Sequence, residues 1–234
     1  MTFQTVGLRA VIFGIGCLGL AWGISDFVGG IVADEFWDLE ARLLKFENFS
    51  KTAATAILDS ADAKHLGVCD THSQRALLLL EIPLADAALR SGAAHDYDLH
   101  IQSLEARTRG MLSCSPRDSF GWLIEFGLEV QHGRLNEHTF DLLAMSYESS
   151  PNEAWVGVRR IAIAIPAVLA APEAIRQKIL AEFQNLIRQR FVEIPARAYL
   201  NASASTRALL QSSVERLDPL SQKIFSDALQ KFRT

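Results

Sequence analysis

The stretch Glu173–Val192, EAIRQKILAEFQNLIRQRFV, decides the fold class. Its large apolar residues recur every four positions, whereas its charged residues fall largely off that line; the apolar set is Ile175, Ile179, Phe183, Ile187 and Phe191. This period is close to the 3.6 residues of one helical turn, so the stretch predicts an amphipathic α-helix with one buried face. Nearly every segment after residue 36 has the same periodicity, and strand signals are nearly absent. We therefore expect an all-α fold.

The composition narrows the class of protein. Of 234 residues, 49% are hydrophobic and 21% are charged, with a formal net charge of −4. A chain this rich in apolar residues can bury a core, which excludes a disordered tail, and its low glycine and proline content excludes a collagen-like fibre. The slightly acidic balance also excludes a generic basic nucleic-acid binder.

Two of the predicted helix starts share the same residue pattern. Ser115-Pro116-Arg117-Asp118 and Ser150-Pro151-Asn152-Glu153 each place a serine before a proline, with an acid three residues after the serine. Serine is a favoured N-cap, and proline is well tolerated at the first helical position. The two serines lie 35 residues apart, which is close to the period of repeats built from two helices.

The segment between these starts resembles the tetratricopeptide repeat over residues 120–153. Eight residues fall at the spacing of that motif's large, small and proline positions: Leu123, Phe126, Gly127, Val130, Thr139, Leu143, Ser146 and Pro151. Gly127 and Thr139 are the residues expected to let the two helices approach closely. Thr139 and Ser146 stand where the family usually has alanine. The resemblance implies an irregular, TPR-like array of helical hairpins that acts as a binding scaffold and carries no catalysis.

A second set of residues resembles uncharacterised membrane-anchored proteins associated with bacterial exopolysaccharide production. The matching segments are Cys114-Ser115-Pro116 through Trp122, Met145-Ser146-Tyr147 and Pro151-Asn152-Glu153-Ala154-Trp155. This resemblance implies a biological process, the synthesis or export of exopolysaccharide, and no particular activity.

The amino-terminal region carries a long apolar run. No charge occurs from Ala10 to Ser25, and Leu8 to Phe27 is just long enough for a helix to cross a hydrocarbon core of roughly 30 Å. We expect a retained transmembrane anchor at residues 8–33. A cleaved signal peptide with its cut after Ala33 and a buried core helix are the open alternatives.

The flanking charges predict the orientation of this anchor. Arg9 precedes the uncharged run, and acidic residues follow it. By the positive-inside rule, residues 1–7 stay in the cytoplasm and the rest of the chain is exported. We expect a single-pass protein of the bacterial inner membrane, with a connector at residues 34–68 and a periplasmic helical-hairpin domain at residues 69–234.

Two cysteines lie in the predicted exported part. Cys69 and Cys114 each stand just before a predicted helix start, with room for two helices between them, roughly Ser73–Gly92 and Tyr97–Met111. The first and third helices of an up-down-up array run parallel, which brings both cysteines to the same end. An even pair of cysteines in an exported domain therefore predicts a disulfide, and two free buried thiols are the alternative.

The sequence predicts no metal, cofactor or catalytic site. Asp96 and His100 lie one helical turn apart, but transition metals need three or four converging ligands, so a solvated helix start is the better interpretation. His132 and His138 flank a predicted turn and are expected in a surface loop. The chain has no nucleophile elbow, HExxH motif or P-loop.

Aromatic and basic residues around the repeat-like hairpin are the candidates for partner binding. Trp155, Tyr147 and Arg159 could line a groove, because aromatic and arginine side chains are strong anchors in protein interfaces. Core packing is the alternative for the aromatic residues, and we expect Trp122 to be core. Arg159 and Arg160 precede an apolar stretch that predicts a buried helix, with the arginines paired to acids.

Together these features predict a membrane-anchored periplasmic scaffold or adaptor that binds a protein partner, within an exopolysaccharide synthesis or export assembly. The alternative function is an enzyme that acts on envelope glycans. No nucleic acid is expected as a partner.

Overall fold

The computed structural model describes residues 12–21 and 35–233, and all regular secondary structure in these ranges is helical. This confirms the predicted all-α class. Residues 12–21 form one helical stretch. After residue 34 the helices are α1 (35–44), α2 (Lys51–Asp59), α3 (Ala61–His65), α4 (Thr71–Ser91), α5 (Ala94–Cys114), α6 (Ser119–Gln131), α7 (Glu137–Ser149), α8 (Ala154–Ala164), α9 (Glu173–Arg188), α10 (Glu193–Asn201), α11 (Ala204–Val214) and α12 (Pro219–Arg233), with a 3₁₀ turn at Ile165–Ala167.

Most of the predicted anchor lies outside the described residues. Of positions 8–33, the structure describes only the helical residues 12–21, and the predicted cytoplasmic start at 1–7 is not among them. Among the described helices, none is long and apolar enough to cross a bilayer. The predicted connector, residues 34–68, contains the helices α1, α2 and α3.

The chain divides into two compact units, Met1–Leu80 and Glu81–Thr234, with the boundary inside α4. In the described part of the first unit, α1 and the start of α4 supply most of the buried apolar side chains. Glu40 on α1 is buried, and it is paired with Arg75 and with His72, whose Nδ1 lies 2.7 Å from Glu40 Oε2. The His72 ring also lies 4.9 Å from that of Trp37, between ring centroids.

The second unit is a stack of helical hairpins. Three successive pairs pack together, α6 with α7, α8 with α9, and α10 with α11. Across the pairs, α6, α8, α10 and α12 pack in succession, and so do α7, α9 and α11. Each hairpin therefore packs against the next one along the chain.

The helix starts lie a few residues later than the sequence predicts. Ser115 and Ser150 were the expected N-caps, but α6 begins after Asp118 and α8 begins after Glu153. The carboxylate of Asp118 accepts a hydrogen bond of 2.8 Å from the backbone N–H of Gly121, so it satisfies the first turn of α6 directly. Residues 115–118 form a turn, closed by a bond from Asp118 N–H to the Ser115 carbonyl.

The connection between the two helices of the repeat-like hairpin lies where the sequence predicts a turn. Residues 132–136 connect α6 to α7, and Gly133 within this connection has a φ of 72°, a conformation that favours glycine. The side chain of Asn136 accepts a hydrogen bond from Thr139 N–H and caps α7. His132 lies in this exposed connection, as predicted, whereas His138 is exposed but belongs to the first turn of α7, so its predicted place in a loop is wrong.

Candidate functional site

A buried arginine on α8 contacts both α7 and α9. The Arg160 side chain on α8 has no exposed surface. Its Nη1 donates to the Ser146 carbonyl at 2.8 Å, and its Nη2 donates to the Ser150 carbonyl at 3.1 Å. The same Nη2 lies 3.2 Å from Oε1 of Glu182 on α9. Arg160 therefore ties the end of α7 and the start of its following loop to α9.

Tyr147 completes this buried cluster. Its hydroxyl donates a hydrogen bond of 3.0 Å to Oε2 of Glu182, and the Arg160 guanidinium lies 4.4 Å from the centre of its ring. The two oxygens of Glu182 thus receive one partner from α7 and one from α8. We call these three side chains the Tyr147–Arg160–Glu182 cluster.

Burial dominates the electrostatics of the cluster. It raises the pKa of Glu182 to about 7, because the lost hydration of the carboxylate outweighs the stabilisation from Arg160 and Tyr147. Burial and the neighbouring Glu182 also raise the pKa of Tyr147 well above its ordinary value. Tyr147 is therefore a neutral hydrogen-bond donor at physiological pH.

Gly157 on α8 makes room for the Glu182 carboxylate. A Cβ atom at this position would lie 2.8 Å from Glu182 Oε1, which is closer than real contacts allow. Gly157 comes about one helical turn before Arg160. The space at Gly157 and the guanidinium group of Arg160 therefore both face the Glu182 side chain. This spacing explains locally why the acid of α9 reaches the arginine of α8.

Two members of the cluster, Tyr147 and Glu182, line an open cavity of 380 Å³. We call it the α7–α9 groove. It is lined by Tyr147 from α7, by the loop residues Pro151, Asn152 and Glu153, by Ala154 and Gly157 of α8, and by Lys178, Ala181, Glu182, Asn185, Leu186 and Gln189 in and just after α9. Glu182 is the member that joins the buried cluster to this solvent-accessible space, since 12% of its side chain is exposed.

Of the three predicted partner-binding residues, Tyr147 lines the α7–α9 groove, and Trp155 and Arg159 are not among its lining residues. The ring of Trp155 packs against Phe120, with centroids 5.4 Å apart. The Arg159 guanidinium lies 5.4 Å from the Trp155 ring, and Arg159 Nη1 donates to the Trp155 carbonyl at 3.0 Å. Burial lowers the pKa of Arg159 to about 10.

The predicted pairing of arginine with acid is confirmed for Arg160, whose partner is Glu182. Trp122, expected in the core, is half-buried, and its indole N–H donates to the Pro116 carbonyl at 2.8 Å. Sequence reasoning missed Glu182, Lys178 and the carboxamides of the groove. The sequence contained a clue to the Tyr147–Arg160–Glu182 cluster but not to the rest of the groove: Gly157 and Arg160 lie about one helical turn apart, just before an apolar stretch.

The histidines considered as metal ligands have other partners. His100 Nδ1 lies 3.2 Å from Oε1 of the buried Glu81, which also accepts a bond of 2.7 Å from Ser103. His132 Nε2 lies 3.2 Å from Glu105 Oε1. In the part of the chain that the structure describes, no three potential ligands come together as a metal site.

Cys69 and Cys114 form the predicted disulfide. Cys69 lies just before α4, and Cys114 is the last residue of α5, so two helices separate them as expected. The third cysteine, Cys17, is free and exposed.

Comparisons of the chain with known protein families, with curated proteins and with solved structures find no match.

Proposed function

We propose that the chain is an adaptor whose helical-hairpin stack binds a protein partner. The observation that carries this proposal is the α7–α9 groove, an open cavity with several polar side chains in its lining and a wall held by buried hydrogen bonds. Binding sites in helical proteins commonly lie between neighbouring helices, and a wall already held in place lowers the entropy that binding must overcome.

The hairpin of α6 and α7 supports the TPR-like part of the proposal. Five of the eight residues that match the repeat motif are fully buried between or beside these helices: Leu123, Phe126, Thr139, Leu143 and Ser146. Burial of the motif's large and small positions is what a repeat needs in order to stack on its neighbours. The successive packing of α6, α8, α10 and α12 agrees with such a stack.

The disulfide supports export of the domain. Disulfides form and persist in oxidising compartments such as the bacterial periplasm. We propose that residues 8–33 anchor the chain in the inner membrane, with residues 1–7 in the cytoplasm and residues 69–234 in the periplasm, and that the partner belongs to an exopolysaccharide synthesis or export assembly.

Fractionation and purification of the full-length chain test this proposal. Carbonate-washed membranes should retain the chain, and a periplasmic reporter fused at Thr234 should be active. Purification in detergent should recover a membrane or periplasmic protein in stoichiometric amount. A mature protein that is soluble and purifies alone contradicts the adaptor proposal.

One observation favours the alternative of a glycan-acting enzyme. Glu182 lies in an open groove with a pKa of about 7, and a raised carboxyl pKa is typical of a general acid. The test is turnover of peptidoglycan and of exopolysaccharide by the wild type and by Glu182→Gln. Turnover that the substitution abolishes favours the enzyme, whereas a wild type with no turnover leaves the adaptor.

A further inference from the structure

The charges that line the α7–α9 groove balance once the buried Arg160 behind its wall is included. Glu153 and Glu182 contribute two carboxylates, Lys178 contributes an ammonium group, and the buried Arg160 is paired with Glu182. Because full charges repel ligands of the same sign and each sign is present here, this balance of charges favours a ligand without net charge.

Three side-chain amides lie on the two sides of the groove. Asn152 belongs to the loop before α8, and Asn185 and Gln189 lie one helical turn apart at the end of α9. A carboxamide has an N–H donor and a C=O acceptor side by side, as does a peptide bond, so the two groups can exchange paired hydrogen bonds. Glu182, with 12% of its side chain exposed, adds carboxylate oxygens that can accept a further hydrogen bond beside those from Tyr147 and Arg160.

The shape of the groove also suits a peptide main chain. Two small, exposed residues, Ala154 of α8 and Ala181 of α9, line the groove, which allows a backbone to approach. The polar row on α9 runs from Lys178 to Gln189, about 16 Å at the helical rise of about 1.5 Å per residue. That length matches about five residues of extended chain at about 3.3 Å each.

A sugar fits the same groove less well. Carbohydrate-binding sites use open aromatic faces for stacking, and the one aromatic residue among the groove's lining residues is Tyr147. Its ring is close to two cations, the Arg160 guanidinium at 4.4 Å and the Lys178 ammonium at 5.9 Å, and its side chain is buried. The amide chemistry of the groove therefore favours a peptide over a glycan.

We propose that the α7–α9 groove binds an extended, uncharged segment of about five residues through the main-chain amides of that segment. This inference rests on the proposed adaptor function and specifies how the partner is held. Recognition is through the backbone of the partner, so the sequence of the segment is constrained mainly by the need for small and uncharged side chains.

The probe is a displayed library of random 12-residue peptides, selected against the full-length chain in detergent. Ala181 is exposed, so Ala181→Trp fills the groove without entering the core; Ala106→Trp, at an exposed alanine of α5, is the matched control. Selected peptides should lose at least tenfold in affinity for Ala181→Trp and should bind Ala106→Trp as they bind the wild type.

Two further variants and one chemical change test the recognition of the main chain. Asn185→Leu removes hydrogen bonds at nearly constant size and should weaken binding by about three- to tenfold, the value of one net hydrogen bond. Asn201→Leu, at an exposed residue that ends α10, should leave affinity unchanged. N-methylation of the central peptide bonds of a selected peptide should abolish binding, while alanine substitution of its side chains should weaken it less.

Three results overturn the inference: no enrichment of peptides, peptides that bind Ala181→Trp as well as the wild type, or peptides indifferent to N-methylation. A fourth contradicting result would come from titration with a neutral oligosaccharide such as maltohexaose, if the sugar binds and the peptides do not. The adaptor proposal is judged separately. If a stoichiometric partner co-purifies equally with the wild type and Ala181→Trp, the adaptor stands and the groove inference fails.

Discussion

At the scale of single residues, the Tyr147–Arg160–Glu182 cluster makes the stability of the protein depend on pH. The pKa of Glu182 is raised from 4.5 to about 7, so the folded state binds its proton more tightly than the unfolded state does. The stability from this proton is fully present below pH 4.5 and is lost as the pH rises through 7, a change of about 3 kcal/mol.

Glu182→Gln should remove this dependence. Chemical denaturation at intervals from pH 4.5 to 8 measures the free energy of unfolding of both proteins, and the difference between the two curves isolates Glu182 from the other titrating groups. We expect the wild type to lose stability relative to the variant over this range. Parallel curves would show that Glu182 titrates at its ordinary pKa in the folded state.

Arg160→Met should expose the cost of a buried carboxylate that has lost its cation. Removal of one partner of a buried ion pair costs roughly 3–5 kcal/mol. Glu182 can escape part of this cost by protonation, so the loss should be larger at pH 8 than at pH 6. Arg188→Met, at an exposed arginine of α9, is the control and should change stability little at either pH. An equal loss at both pH values would mean that packing, and no ion pair, is what Arg160 supplies.

At the scale of the helix, two glycines of the hairpin stack should respond in opposite directions to alanine. Both lie inside helices, so each substitution gains roughly 1 kcal/mol of helix propensity. A Cβ at Gly127 meets Ile163 Cγ2 at 3.4 Å, an ordinary contact, whereas a Cβ at Gly157 meets Glu182 Oε1 at 2.8 Å. Gly127→Ala should keep or raise the melting temperature, and Gly157→Ala should lower it by displacing the carboxylate from Arg160.

The sequence predicts a close approach at Gly127, and the structure places the tightest glycines elsewhere, at Gly121 and Gly157. The repeat motif identifies where helices of one hairpin meet, but it carries no information on which side chain arrives from the next helix. The starts of α6 and α8 also differ from the predicted ones. Ser115 and Ser150 are favoured capping residues with suitable spacing, but the residues directly before these helices are Asp118 and Glu153. A melting temperature for Gly157→Ala equal to that of the wild type would contradict the argument from distance.

At the scale of the whole molecule, the disulfide is the long-range constraint that the sequence could predict. Cys69 and Cys114 close a loop of about 46 residues, which stabilises the folded state by roughly 4 kcal/mol on the chain-entropy model. Cys69→Ser with Cys114→Ser should therefore lower the free energy of unfolding by that amount, as should reduction. Cys17→Ser is the control, because Cys17 is free, and it should unfold like the wild type.

The all-α class could be predicted because the apolar period is present in every segment by itself. The Tyr147–Arg160–Glu182 cluster could be predicted only in part. Tyr147 stands out as an aromatic residue near the repeat, but Glu182 is one acid among many on an amphipathic helix. Its role depends on a contact between α8 and α9 and on a gap at Gly157, and neither can be read from the spacing of residues within one helix.

The neighbour-to-neighbour packing of the hairpins has a consequence for the order in which the second unit opens. The helices of this unit pack mainly against partners one or two elements away in the chain, so folding can proceed by adding one hairpin to the last, and local contacts of this kind fold rapidly. Among the described helices, α12 packs mainly against α9 and α10, whereas α8 packs against α6, α9 and α10 and carries the buried Arg160. Amide hydrogen exchange should therefore release α12 before α8, and protection should be higher around the Tyr147–Arg160–Glu182 cluster than in α12.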